Sequence, residues 1–196
     1  MHLQSNPTEV DRIVLLEIGS RLFHQFRYDE LPVDFIHHKM SLNRDDFDRL
    51  FVNKDALFRE VLKFDVVNEK DAPWDELNQD DDIRVALRKF LERCKAELMN
   101  EAVMGNLVLE TATSGANESF IAGSAIETAR NLLSSLLAQR FEKAHKTGQI
   151  KNDLSTNERV AVILSILGLM KTYTGTEFGQ TIVSEAIDFA IAGSCS

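Results

Sequence analysis

Residues 31–62 read LPVDFIHHKMSLNRDDFDRLFVNKDALFREVL, and three short helices are legible in them. Leu31-Pro32 opens the first, which carries Val33, Phe35, Ile36 and Met40 at helical spacing. Ser41-Leu42-Asn43 is a tight break, and Asn43 is placed to cap a second helix with Phe47, Leu50 and Phe51 as its apolar positions. Asn53 caps a third, with Leu57, Phe58, Val61 and Leu62. Two short helices joined by a tight turn and backed by longer ones form a helix-turn-helix.

The flanking sequence extends this reading. Upstream, Asn6-Pro7 is a helix entry, and Ile13, Leu16, Ile18, Leu22, Phe23 and Phe26 predict a helix over about 8–26. Downstream the apolar pattern lapses between Val66 and Gln79, around Pro73 and Trp74. That lapse sets the expected boundary between a 1–65 unit and a 66–196 unit. Asp80, Asp81 and Asp82 mark a solvated helix start, where negative charge complements the helix dipole, and that helix runs to about Leu98. An apolar stretch follows over 102–113, then a long helix over roughly 117–147 that ends at Gly148 with Lys143, His145 and Lys146 in its last turn. Ser155 and Glu158 form a capping-box pattern ahead of an apolar helix to Met170. A last helix carries Ile182, Val183, Ala186, Ile187, Ala190 and Ile191. No stretch alternates with period two over a useful length, so an all-α chain of about nine helices is expected.

Composition narrows the class. Of 196 residues, 44% are hydrophobic and 27% charged, with only 3 Pro and 9 Gly, the profile of a globular helical protein. Met1 to Asp11 lacks the basic and apolar regions of a signal peptide, and no apolar run approaches the roughly 18 residues of a membrane span, so a cytoplasmic protein without membrane partners is expected. Cys94 and Cys195 stand alone, implying reduced thiols and neither disulfide nor zinc. No cofactor is called for. No nucleophile–base pair, phosphate loop or Ser/His/Asp arrangement supports an enzyme.

Residues 13–62 resemble the DNA-binding segment of the TetR family without a gap. Leu22-Phe23 matches the end of its first helix and Tyr28 the aromatic of its turn. Val33 and Ile36 match core positions, and Asn43 matches the serine that caps the recognition helix. Phe51, Lys54 and Leu57 fall on the family's Phe-x-Ser-Lys-Glu-x-Leu. Further on, residues 105–112 resemble the Gly-Cys-Leu-Leu-x-Asn-x-Ala segment of TetR-like ligand domains, and Gly148-Gln149-Ile150 the turn after their long helix. The resemblance implies a DNA-contacting set of Pro32, His38, Asn43, Arg44, Asp45, Asp46, Asp48, Arg49 and Lys54. It also implies an effector pocket drawing on Trp74, Met99, Met104, Leu107, Glu110 and Phe120. His37 and His38 are adjacent and point to different faces, which reads as surface histidines with His38 near phosphate.

The departures from the family are chemical. Its Ala-Gly-Val-Ser turn reads Met40-Ser41-Leu42-Asn43, which puts serine where glycine permits a left-handed backbone at a cost of about 1 kcal/mol. The tyrosine that touches phosphate aligns with Asp48, and the threonine that opens the second helix aligns with Pro32. Residues 1–64 hold nine Lys/Arg against eleven Asp/Glu, a formal charge of −2 in a chain of −9, whereas DNA binders are locally basic. Carboxylates can instead accept from cytosine amino groups, the role open to Asp45 and Asp46.

Two expectations follow. One is a homodimeric transcriptional regulator, a repressor, that binds double-stranded operator DNA and is released by a small-molecule effector. The alternative is a sensor or interaction protein of the same fold that has lost its operator. The dimer is expected through the last two helices, with Val160, Ile163, Leu164, Leu167, Ile182, Ala186, Ile187 and Ala190 across a two-fold axis.

Overall fold

The computed structural model describes residues 9–79, 82–98, 105–114, 123–151, 153–173 and 176–195. Its order is α1 (Glu9–Gln25), α2 (Val33–Met40), α3 (Arg44–Phe51), α4 (Lys54–Asn68), a 3₁₀ turn (Pro73–Asp75), α5 (Glu76–Gln79), α6 (Ile83–Leu98), α7 (Leu107–Thr113), α8 (Gly123–Lys146), α9 (Thr156–Thr172) and α10 (Glu177–Ser194). No strand occurs among the described residues, and none of their helices is long and apolar enough to cross a membrane. Among the described residues there are ten helices rather than the expected nine, because the 66–79 stretch is not a simple lapse. Asp75 accepts from the Ala72 N–H at 3.1 Å, and Ala72, Pro73, Trp74 and Leu77 are buried. Elements of one turn are too short to leave a periodic signature.

α4 also runs three residues into the expected lapse, to Asn68, and its core-facing residue just before the lapse, Asp65, is a carboxylate that interrupts the apolar pattern. Asp65 is buried, and its Oδ2 lies 3.1 Å from His24 Nε2 on α1. A buried polar group needs such a partner. α1 and α4 cross closely at Gly19, where a Cβ would come within 2.9 Å of Val61 Cγ2.

Local capping sets most boundaries. The Asn53 side chain accepts from Ala56 N, Ser155 and Glu158 close a reciprocal capping box, and Gly148 (φ 72°) ends α8 in the left-handed region. At the α6 start, Asp82 Oδ1 accepts from Arg84 N, while Gln149 Oε1 accepts from Ile83 N at 2.8 Å and ties the end of α8 to α6. The buried apolar side chains form one continuous cluster from Leu15 to Cys195, through which α4 packs on α7 and α8.

Candidate DNA-reading helices, cavity and subunit face

α2 ends at Ser41, whose backbone is left-handed (φ 54°, ψ 35°). The Ser41 and Leu42 N–H groups donate back to the carbonyls of His38 and His37. The chain then enters α3 through Asn43, which accepts from Asp46 N at 2.8 Å and donates its amide to Asp46 Oδ2 at 2.7 Å. α3 ends at Val52, also with positive φ (68°, ψ −51°), and Asn53 N reaches back to Phe51 O at 2.7 Å. This is a γ-turn, a strained conformation for a β-branched residue.

Packing beneath α3 is aromatic. The His37 ring lies 4.4 Å from Phe47, and Phe47 lies 5.6 Å from Phe51. His37 is therefore buried, not a surface histidine, and its Nε2 has no hydrogen-bond partner. Its position three residues before Met40 on a short amphipathic helix puts it on the inward stripe. His38, one residue on, is exposed as expected. Arg12 anchors α3 from α1: its guanidinium sits 5.0 Å over Phe51, donates to Leu50 O at 3.3 Å and grips Glu60 at 2.6 and 2.8 Å. Nothing in local sequence spacing marks that residue.

Among the expected DNA-contacting residues, the two arginines of α3 are paired with aspartates of the same helix. Arg44 Nε faces Asp48 at 3.7 Å, and Arg49 bonds Asp46. Lys54 is turned inward: Nζ donates to the carbonyls of Tyr28 and Leu31, and lies 4.3 Å over the Tyr28 ring. Partial burial lowers its pKa, opposed by the nearby Asp29 charge. Lys54 thus pins the α1–α2 loop onto α4. Pro32 and Asn43 sit at the starts of α2 and α3, and Asp45 and Asp48 are exposed.

A second feature lies between α7, α8 and α9. There a cavity of about 220 Å³ is walled by Ala112, Leu133, Leu164 and Leu167, with Arg130 at its edge. Of the residues expected to line a pocket, Met99, Met104 and Phe120 lie outside the described residues. Trp74 is buried in the core, and Leu107 is half-buried at the start of α7. Glu110 does not line this cavity: its Oε1 turns back to the Gly105 N–H at 3.3 Å. The cavity meets α7 one turn later, at Ala112 and Thr113.

No protein-family model and no curated sequence relative matches the chain. Solved structures do. A cysteine mutant of the TetR family transcriptional regulator CifR, bound to 26-bp operator DNA, superposes with TM-score 0.61 and 20% identity over 93% of this chain and 98% of its own. A TetR-family regulator from Pectobacterium atrosepticum gives TM-score 0.58 and 15% identity over 92% and 90%. This chain has the TetR fold. AibR, solved with isovaleryl coenzyme A and operator DNA, shares it at TM-score 0.53 and 13% identity over 92% and 97%.

In this example of the TetR fold, the apolar stripes of α9 and α10 face the protomer's own core. Val160, Ile163, Leu167, Ile187 and Ala190 are buried within the protomer and unavailable to a partner; Leu164, Ile182 and Ala186 are half-buried. The solvent side instead carries Val162 on α9 and Phe178 and Phe189 on α10, the phenylalanines 73% and 80% exposed. Their spacing of eleven residues, three helical turns, was readable in the sequence.

A polar junction joins the carboxyl end of α4 to α6 and α7. Glu69 follows α4, and Asn106, which caps α7, donates to Glu69 Oε2 at 2.7 Å while its own N–H donates to Glu97 on α6 at 3.0 Å. Burial raises the Glu69 pKa; the His24 charge and the Asn106 bond oppose that, while Asp65 and Glu97 add to it.

Proposed function

We propose that the chain is a transcriptional regulator that binds operator DNA as a homodimer through α2 and α3, with residues 1–65 as the reading unit and 66–196 as the effector and dimerisation unit. The observation that carries the reading is α3. An Asn43-capped helix stands on the surface behind a left-handed turn, in a fold shared with CifR and AibR, both solved on operator DNA. Arg44 and Arg49 remain available to phosphate or base edges, because exposed helical ion pairs contribute only about 0.3–0.5 kcal/mol and exchange readily. Asp45 and Asp46 accept from cytosine amino groups on a matched site, and His38 stands beside the backbone. A small molecule in the α7–α9 cavity shifts the spacing of the two reading units and lowers operator affinity, which makes the protein a repressor. Phe178, Phe189 and Val162 supply the dimer face.

One observation favours a second reading, a sensor of the same fold without an operator: both arginines of α3 are paired with aspartates of α3. Selection of bound fragments from genomic DNA at low salt separates the two. Enrichment of a palindrome with half-sites about one helical turn apart supports the regulator. Recovery of random sequence alone supports the sensor.

A further inference from the structure

The α7–α9 cavity is chemically lopsided. Thr113 and Ser165 both line it, yet both hydroxyl protons are committed elsewhere: Thr113 Oγ1 donates to Leu109 O at 2.9 Å, and Ser165 Oγ to Ala161 O at 2.8 Å. The other described lining residues, Arg130 excepted, are Ala, Leu and Gly. Among the described lining residues, Arg130, itself exposed, is therefore the side-chain donor left to the cavity. Its Nε donates to Ala112 O at 2.9 Å and its Nη2 to Ser114 O at 3.1 Å, which fixes the guanidinium against the end of α7. Two of its five N–H groups are thereby used, and carbonyls leave its full charge uncompensated. It takes part in none of the ion pairs among the described residues.

A fixed guanidinium beside leucine walls matches one anionic group attached to an apolar body, since charge-assisted bonds to carboxylate are the strongest this donor makes. The volume, about 220 Å³, is below the roughly 300–1,000 Å³ of drug-sized sites, so the body is small. Gly168, in the middle of α9, also lines the space, and a Cβ built there meets nothing within 4 Å. We propose that the cavity binds a small apolar monocarboxylate, with its carboxylate on Arg130 and its hydrocarbon part against Leu133, Leu164 and Leu167. This names the effector class for the regulator reading and rests on that reading for its regulatory meaning only, because binding is measured on the protein without DNA.

The test is calorimetric titration of the full chain with hexanoate and benzoate, each against its uncharged amide. At least one carboxylate should bind about tenfold more tightly than its amide, a difference of about 1.4 kcal/mol. Arg130→Gln should abolish the preference, and Arg130→Lys should keep part of it. Gly168→Leu should fill the space and remove binding while the helical circular dichroism is unchanged. Equal affinity for acid and amide, no carboxylate binding at millimolar concentration, a preference that survives Arg130→Gln, or binding that survives Gly168→Leu would each overturn the proposal. If Arg130→Gln fails to fold, the acid–amide comparison on the unmodified protein and Gly168→Leu still decide. A failed genomic selection with intact carboxylate binding would remove the regulator reading alone.

Discussion

Asn106 and Glu69 are joined by a 2.7 Å hydrogen bond between the cap of α7 and the residue that follows α4. The same Asn106 side chain accepts from Leu109 N at 2.9 Å, so one amide both starts α7 and holds the carboxyl end of α4. α7 also forms part of the cavity wall, and α4 packs on α1. Replacing Asn106 with Ala removes a cap, worth about 1 kcal/mol, and leaves a half-buried Glu69 without its donor, worth about 1–3 kcal/mol more. Urea unfolding of Asn106→Ala should show a loss of at least the cap contribution, and a midpoint equal to wild type would show the bond to be idle.

Stability should fall as pH rises through the range where His24 titrates. The hydrogen bond to Asp65 raises the His24 pKa above 6.5; burial opposes this, and the Asp65 and Glu69 charges assist it. A raised folded-state pKa means that the stabilisation is fully present below the unfolded value and is lost as pH climbs through the folded one. The raised Glu69 pKa acts with the same sign at lower pH, from its unfolded value of 4.5 upward. Thermal unfolding of wild type and His24→Gln across pH 5.5–8.5 should give a declining curve for the first and a flatter one for the second. Parallel curves would rule out His24 as the origin.

Two non-glycine residues hold positive φ at the ends of α2 and α3, Ser41 at 54° and Val52 at 68°. Both are exposed, so little packing is lost with their side chains. Ser41→Gly and Val52→Gly should each stabilise the protein by about 1 kcal/mol through relief of backbone strain, less the extra entropy of an unfolded glycine. Denaturant midpoints of the single and double variants measure this directly. A destabilised Val52→Gly would mean that the γ-turn carries no strain.

Asp48 holds Arg44 on the exposed side of α3 at 3.7 Å. Asp48→Asn releases that arginine and removes a charge that phosphate repels. Affinity for random duplex should rise several-fold, and the slope of log K against log salt should steepen by about one. Arg49→Ala should move affinity the other way. Fluorescence anisotropy at several salt concentrations reads both, and an unchanged slope would place α3 away from the DNA backbone.

Phe189 is 80% exposed on α10, so changing it leaves the protomer core untouched. Phe189→Glu should convert a dimer into a folded monomer in sedimentation velocity, with circular dichroism preserved. A variant that sediments like wild type would move the subunit contact off this face.

What the sequence determined by itself is local. The Asn43, Asn53 and Ser155 caps and the stop at Gly148 depend on hydrogen bonds between residues three to five apart, and each is legible as residue type at fixed spacing. Those signals, with unbroken helical periodicity, were enough for the all-α fold and the helix-turn-helix. The tertiary structure decided which side of each helix turned inward. α9 is apolar almost all round, so its periodicity ranks no face above another; packing against α6, α8 and α10 buried Val160, Ile163 and Leu167 and left Val162 outside. The uses of charge were likewise set at long range. Lys54 reaches carbonyls 23 and 26 residues away, Arg12 reaches Glu60 across 48, and Asn106 reaches Glu69 across 37. Arg130 reads in sequence as one more solvated charge on a long helix. It is exposed in the structure too, but the close approach of α7 and α9 to that turn of α8 places an apolar cavity beside it, which spacing along one helix does not show.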